Sequence, residues 1–157
     1  MNAAQSESLF TIHLTRVIRA PRDRVFEAWV NPDLRRQWWH HGNGLSVCDL
    51  DPRPGGRYRM VQIGGCEEEH DVPANFEWVM AGEFVEVVRP SRIVFTWNVN
   101  HSPPVVNNRV SIDLIEVPGG TELRLTHEGR LTPEMRDGTR EGWTRLVASI
   151  ADLLERN

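Results

Sequence analysis

The side chains of this sequence that could bind a metal do not occur at ligand spacings. His40 and His41 are adjacent, so their side chains point apart, and no Cys, Asp or Glu partner lies at a suitable interval. The acidic run at residues 67–71 lacks the alternating spacing of a calcium loop and is typical of a solvated loop. We therefore predict no metal site and no cofactor.

Catalytic motifs are also absent from the sequence. It contains no G-x-S-x-G nucleophile elbow, no P-loop, no G-x-G-x-x-G and no H-E-x-x-H. The 18 basic residues are all arginine, which removes lysine Schiff-base chemistry. Glu86, Asp113 and His127 could each transfer a proton, but their spacing does not pair them. We predict no catalytic residue, and we favour a binding protein over an enzyme.

His127 is the polar side chain of most interest, because it shares one face of a strand with Leu123 and Leu125. This alternation predicts that the histidine points to the covered side of a sheet. There it could be a hydrogen-bonded core residue, or it could orient a ligand in an otherwise apolar pocket. The sequence leaves both interpretations open.

The sequence is rich in tryptophan, with six among 157 residues. Large aromatic side chains can line a cavity or simply fill a core, and the sequence does not separate these alternatives. The candidate lining residues of a cavity are Trp29, Trp39, Tyr58, Met60, Phe84, Phe95, Trp97, His127 and Trp143.

The element that must position these side chains is a long helix at residues 132–155. Its apolar residues recur at steps of three and four, which places them on one helical face. Thr132 can cap its start, and Pro133 suits the first helical position, where its missing N–H costs nothing. At about 1.5 Å per residue such a helix crosses a whole small domain.

The preceding residues alternate in the manner of strands. We predict a strand at residues 9–19, two short helices with Pro21 and Pro32 at their first positions, and strands at 45–51, 57–63, 82–88, 92–98, 109–117 and 121–128, with residues 76–80 as a candidate additional short strand. Short hairpin turns dominate, so the sheet should be antiparallel. We predict an α+β fold in which a curved antiparallel sheet of about six or seven strands wraps around the C-terminal helix, the one element large enough to cover it.

Length and composition narrow the class of protein. A chain of 157 residues is expected to form a single domain, 1–157, with residues 1–8 as a flexible tail. The net charge of −4 disfavours nucleic acid, and no apolar run approaches the ~20 residues of a membrane helix. We therefore expect a cytoplasmic protein with no membrane insertion, with Cys48 and Cys66 as reduced thiols.

Short segments of the sequence occur in a characteristic order: Val25-Phe26-Glu27-Ala28-Trp29, Asn31-Pro32, Trp38-Trp39, Pro54-Gly55-Gly56-Arg57, Gly82-Glu83-Phe84-Val85-Glu86-Val87, Ile93-Val94-Phe95-Thr96-Trp97, Gly120-Thr121-Glu122-Leu123 and Gly142-Trp143. The set resembles the single-domain SRPBCC, or START-like, proteins related to the C-terminal domain of the activators of the ninety-kilodalton heat-shock chaperone's ATPase. The resemblance implies a helix-grip fold with a cavity between the long helix and the sheet, commonly used for apolar or amphipathic ligands.

Three functions follow from this resemblance, because the fold alone does not fix one. The leading hypothesis is binding of a small hydrophobic or aromatic ligand in the cavity. The second is a co-chaperone role in which the protein stimulates a chaperone ATPase, although eukaryotic activators carry a separate N-terminal domain that is not expected before the first strand here. The third is a cyclase-like or hydrolytic enzyme that uses His127 or Tyr58. We expect a monomer or a homodimer.

Overall fold

The computed structural model describes residues 6–39, 44–65, 73–100 and 103–156. In these ranges the chain forms seven strands and three helices: β1 (Ser8–Ile18), α1 (Arg22–Val30), α2 (Pro32–Trp38), β2 (Leu45–Leu50), β3 (Arg57–Ile63), β4 (Glu77–Val88), β5 (Arg92–Val99), β6 (Val105–Val117), β7 (Gly120–Leu131) and α3 (Pro133–Glu155). His40, His41, Cys66 and the acidic run at residues 67–71 lie outside the described ranges.

The strands form one antiparallel sheet in the order β1-β7-β6-β5-β4-β3-β2. Sequential strands from β2 to β7 are neighbours, joined by connections that range from two residues between β6 and β7 to 13 residues between β3 and β4, whereas β1 pairs with the last strand, β7. The predicted α+β helix-grip architecture, with its seven-stranded sheet and two short helices after the first strand, is confirmed.

Helix α3 has the predicted bounds. The Thr132 hydroxyl accepts a hydrogen bond from the backbone N–H of Met135 at 3.1 Å, and Pro133 occupies the first turn. Its buried face includes Trp143, Val147 and Ile150. The helix packs on β1 and β7 and also on α1 and α2. The short helices themselves contact β6, β7 and β2, so the expectation that α3 alone covers the sheet is wrong.

The two short helices are joined tightly by Asn31, whose side chain caps α2. Its Oδ1 accepts hydrogen bonds from the backbone N–H groups of Asp33 and Leu34 at 2.9 and 3.2 Å. Pro32 occupies the first helical position and has no N–H of its own to be capped. Pro21 instead precedes α1 as its N-cap, with extended backbone, so the prediction that it occupies the first helical position is off by one residue.

Strand β4 is one continuous strand, where the sequence predicted two at residues 76–80 and 82–88. Gly82 lies at its middle, and a Cβ atom there would come within 2.2 Å of the Thr96 carbonyl oxygen. Glycine is therefore needed for the close approach of β5 and does not interrupt the strand. A bulge between Phe84 and Glu86 then shifts the register with β5.

Strand β6 begins at Val105, four residues before the predicted start, because an irregular register extends its pairing. Between Trp97 and Val99 of β5 the partner strand carries one extra residue, and Asn107 adopts a left-handed backbone with φ of 49°. The bulge places Asn108 opposite Trp97, and both side chains are buried.

No helix in the described ranges is long and apolar enough to cross a bilayer.

Candidate functional site

All nine predicted lining residues are buried, and they form two adjoining groups. The first group comprises His127 and four tryptophans: Trp29, Trp39, Trp97 and Trp143. These four, together with Trp38, form what we call the tryptophan cluster. The second comprises Tyr58, Met60, Phe84 and Phe95. The groups meet at Phe95 and Trp97, whose ring centroids are 6.2 Å apart.

The tryptophan cluster lies where α1, α2, α3 and the sheet converge. Trp29 of α1 contacts Trp38 of α2 and Trp143 of α3, with ring centroids 5.0 and 6.1 Å apart. Trp143 also lies 5.2 Å from Trp97 of β5, and Trp39 lies 6.5 Å from the same ring. These separations are those of favourable aromatic pairs. The three helices and the sheet therefore contribute indoles to one continuous group of packed, buried rings.

Three indole N–H groups of the cluster have clear acceptors. Trp38 donates to the Ala28 carbonyl at 2.7 Å, which replaces the helical bond that Pro32, having no N–H, cannot supply. Trp39 donates to Gln62 Oε1 at 2.9 Å, and the Gln62 amide donates in turn to the Gly64 carbonyl. Trp143 donates to His127 Nδ1 at 3.0 Å. The Trp29 indole N–H, equally buried, has no partner in the described part of the chain.

The protonation of His127 follows from its neighbours. An indole N–H can only donate, so Nδ1 is the acceptor and the proton of the neutral ring lies on Nε2. The side-chain amide of Asn108 faces Nε2, with Nδ2 at 3.1 Å. Rotating that amide by half a turn presents Oδ1, otherwise without a donor, to the Nε2 proton. Both imidazole nitrogens are then satisfied within the protein.

Burial keeps this histidine neutral. The side chain of His127 is 1% exposed, and desolvation lowers its pKa from 6.5 to about 4. Gly129 makes room for its partner, because a Cβ at this position would lie 1.8 Å from Asn108 Oδ1. His127 is therefore a rigid hydrogen-bonding link between β7, β6 and α3, as expected of a satisfied core residue.

Tyr58 is held as firmly at the centre of the second group. Its hydroxyl donates to the Thr96 carbonyl at 2.5 Å, and its ring contacts Phe84 and Phe95 at centroid distances of 5.7 and 5.6 Å. Burial raises the pKa of Tyr58, so the phenol stays protonated at neutral pH. This geometry suits an aromatic wall better than an acid or a base.

Arg35 is the polar residue of this region that the sequence analysis missed. The stretch Leu34-Arg35-Arg36-Gln37 is typical of a solvent-facing turn of helix, yet Arg35 is only 3% exposed. Its guanidinium donates from Nη2 to the Trp29 carbonyl and lies with Nη1 3.2 Å from Met60 Sδ. One signal was available: Arg35 precedes Trp38 by three residues and so shares its helical face.

The described residues contain no assembled metal-binding or catalytic group. Nowhere in these ranges do three or more His, Cys, Asp and Glu side chains gather as a metal site would need. Three ionisable side chains of the interior, Arg35, Tyr58 and His127, are each hydrogen-bonded to groups that do not titrate near neutral pH. A fourth, the Cys48 thiol, is buried, and desolvation raises its pKa. The arrangement is one of packed aromatic side chains with a few polar groups bonded within the protein.

Solved structures of similar fold come from several bacteria. An uncharacterized protein from Rhizobium leguminosarum has a TM-score of 0.81 at 22% identity, over 97% of this chain and 98% of that one. Protein NE0264 from Nitrosomonas europaea has a TM-score of 0.73 at 23% sequence identity, over 99% of this chain and 97% of that one. A protein of unknown function from Staphylococcus aureus has a TM-score of 0.77 at 14% sequence identity, over 96% of each chain. At these identities the likeness shows the fold alone.

The comparison with protein families covers most of the chain. The family model described as "Activator of Hsp90 ATPase homolog 1-like protein" matches residues 19–155, which run from the end of β1 to the end of α3. No curated protein matches the sequence. Because the family model spans far more than half of its length, this chain belongs to the Activator of Hsp90 ATPase homolog 1-like family.

Proposed function

We propose that the protein binds a small hydrophobic or aromatic molecule between the sheet and the C-terminal helix, with the tryptophan cluster as the contact surface. The observation that carries this proposal is the indole N–H of Trp29. It is fully buried at the meeting point of three helices and donates to nothing in the described residues. A buried donor without an acceptor costs about 1–3 kcal/mol, which an acceptor atom on a ligand would recover.

The surrounding chemistry supports the same function. The side chains around Trp29 are the rings of Trp38 and Trp143 and the guanidinium of Arg35. Apolar and aromatic walls with a few fixed polar groups are the usual lining of small-molecule sites. His127 and Tyr58 fix the geometry of these walls through bonds within the protein, so they preorganise the site and leave Trp29 to meet the ligand.

Titration with a library of fatty acids, fatty alcohols and aromatic compounds, followed by tryptophan fluorescence, tests the proposal. We expect saturable quenching at one site per chain, and native mass spectrometry should detect the bound compound. Trp29→Phe should weaken binding, since it removes the unpaired donor and keeps an aromatic ring. Trp78→Phe is the matched control, because this indole lies outside the tryptophan cluster and its N–H already donates to the Gly65 carbonyl at 3.1 Å. Absence of binding by every compound in the library would contradict the proposal.

A second candidate function is stimulation of a chaperone ATPase, and the family match favours it. A steady-state ATPase assay with the Hsp90-type chaperone from the same cell would show higher turnover on adding micromolar protein. Unchanged turnover, with the chaperone responsive to a known activator, would remove this candidate. The result is independent of the ligand titration, so the two functions can be assigned separately.

A further inference from the structure

Arg35 lies in an unusual environment for a charged side chain. Its guanidinium carbon is 5.4 Å from the centroid of the Trp29 ring and 5.2 Å from that of Trp38. Its other contacts are the Trp29 carbonyl and the sulfur of Met60. The hydrogen bond to the carbonyl places a cation at the C-terminal end of α1, which favours that helix. None of these neighbours carries a negative charge.

The positive charge of Arg35 is therefore not balanced. No ion pair among the described residues includes it. The ionisable groups that act on it are the Cys48 thiol and the Tyr58 phenol, and burial raises the pKa of both, so both are neutral near pH 7. Desolvation lowers the pKa of Arg35 to about 10, which leaves the guanidinium charged. A buried cation without a counter-ion is strongly unfavourable, and contacts with two indole faces offset only part of the cost.

Two hydrogen-bond donors beside this charge also lack acceptors. They are Nε of Arg35 and Nε1 of Trp29, both buried and both without a partner in the described residues. Neither atom can accept a hydrogen bond, so a water molecule or an alcohol would meet them only through its oxygen. A group that met both donors and balanced the charge of Arg35 would supply acceptor atoms and one negative charge.

We propose that the natural ligand is an amphipathic carboxylic acid, whose carboxylate pairs with Arg35 and accepts from Trp29 while its apolar part lies against the tryptophan cluster. This inference rests on the proposed ligand-binding function and names the class of ligand. A carboxylate has one negative charge and two acceptor oxygens, which match one guanidinium and two free donors. A phosphate monoester, with a charge near −2 and three terminal oxygens, would keep charge and oxygens unpaired here.

Isothermal titration calorimetry at pH 7 with two matched pairs of compounds tests this inference on the unmodified protein. The pairs are naphthylacetate with naphthylethanol, and decanoate with decanol. Each pair shares its apolar part and differs in the charged group. We expect at least one acid to bind tenfold or more tightly than its alcohol.

Substitutions then locate the preference. Arg35→Gln should bring the affinity for the acid down to that for the alcohol and leave the alcohol unchanged. Arg36→Gln is the matched control, because it removes the same charge from the adjacent, exposed position and should preserve the preference. If Arg35→Gln does not fold, Trp29→Phe serves instead. It should weaken the acid more than the alcohol and so reduce the preference, because a carboxylate is the stronger acceptor for the lost indole N–H.

The outcomes separate this inference from the function on which it rests. If alcohols bind as tightly as acids, or if Arg36→Gln abolishes the preference as fully as Arg35→Gln does, the assignment of a carboxylic acid to Arg35 is overturned and ligand binding stands. If no compound of either pair binds, both the inference and the proposed function are contradicted.

Discussion

Acidification should destabilise the protein because His127 is buried in its neutral form. The pKa of His127 is lowered from 6.5 to about 4 by desolvation, and no charged group faces the ring. Its neighbours are Trp97, Asn108 and Trp143, which do not titrate. Between pH 6.5 and about pH 4, the unfolded chain therefore binds a proton at this histidine that the folded chain does not bind.

The size of the effect follows from the shift. Each pKa unit corresponds to 1.36 kcal/mol, so the difference between 6.5 and about 4 amounts to about 3 kcal/mol. The folded pKa lies below the unfolded one, so this stability is fully present above pH 6.5. It is lost progressively as the pH falls towards 4. Domains of this size are stable by roughly 5–15 kcal/mol, so the loss is readily measured.

Urea denaturation followed by circular dichroism at pH 7, 6, 5 and 4.5 measures the effect. Carboxylates also titrate in this range, so the informative quantity is the difference between the unmodified protein and His127→Gln. Glutamine can still accept from Trp143 and donate to Asn108, but it does not titrate. We expect the variant to be less stable at pH 7 and to lose less stability on acidification.

His13→Gln is the control, because it makes the same substitution at an exposed position of β1, outside the hydrogen bonds that hold His127. Parallel loss of stability in the unmodified protein and in His127→Gln, from pH 7 to 4.5, would refute the assignment of a buried neutral histidine.

Two further pairs of substitutions test the packing around the site. Gly129→Ala should cost about 1–3 kcal/mol in thermal or urea denaturation, because its Cβ would meet the Asn108 side chain and its φ is 151°. Gly138→Ala, where nothing lies within 4 Å, should instead stabilise α3 by ~0.5–1 kcal/mol, and equal effects at both positions would show that space is not the cause. Trp38→Phe should lower stability more than Trp29→Phe by about 1 kcal/mol or more, because only Trp38 has an acceptor to lose; a larger loss for Trp29→Phe would contradict this.

The hydrophobic period and the turn residues explain how much of the fold could be predicted. Helix α3 has one apolar face and a Thr-Pro start, so its bounds could be predicted to the residue. The alternation along β7 also placed His127 on the buried face. Gly82, in contrast, is read locally as a break between strands, and only its closeness to Thr96 in the folded sheet reveals one continuous strand.

The environment of Arg35 could not be predicted for a similar reason. A short helix with two adjacent arginines has no local feature that says which of them is buried. The choice is made by Trp29 of the preceding helix and Met60 of a distant strand, which enclose Arg35 and leave Arg36 exposed. Aromatic residues were easier to place, since their size alone favours burial.

The proton–nitrogen correlation spectrum of the six indole N–H groups tests the central claim most directly. Trp29→Phe and Trp38→Phe assign two of the signals by their disappearance. On saturation with naphthylacetate, the Trp29 signal should move downfield as its N–H gains an acceptor, and the Trp38 signal should change much less. A spectrum in which Trp29 does not move at saturating ligand would contradict a binding site at this indole.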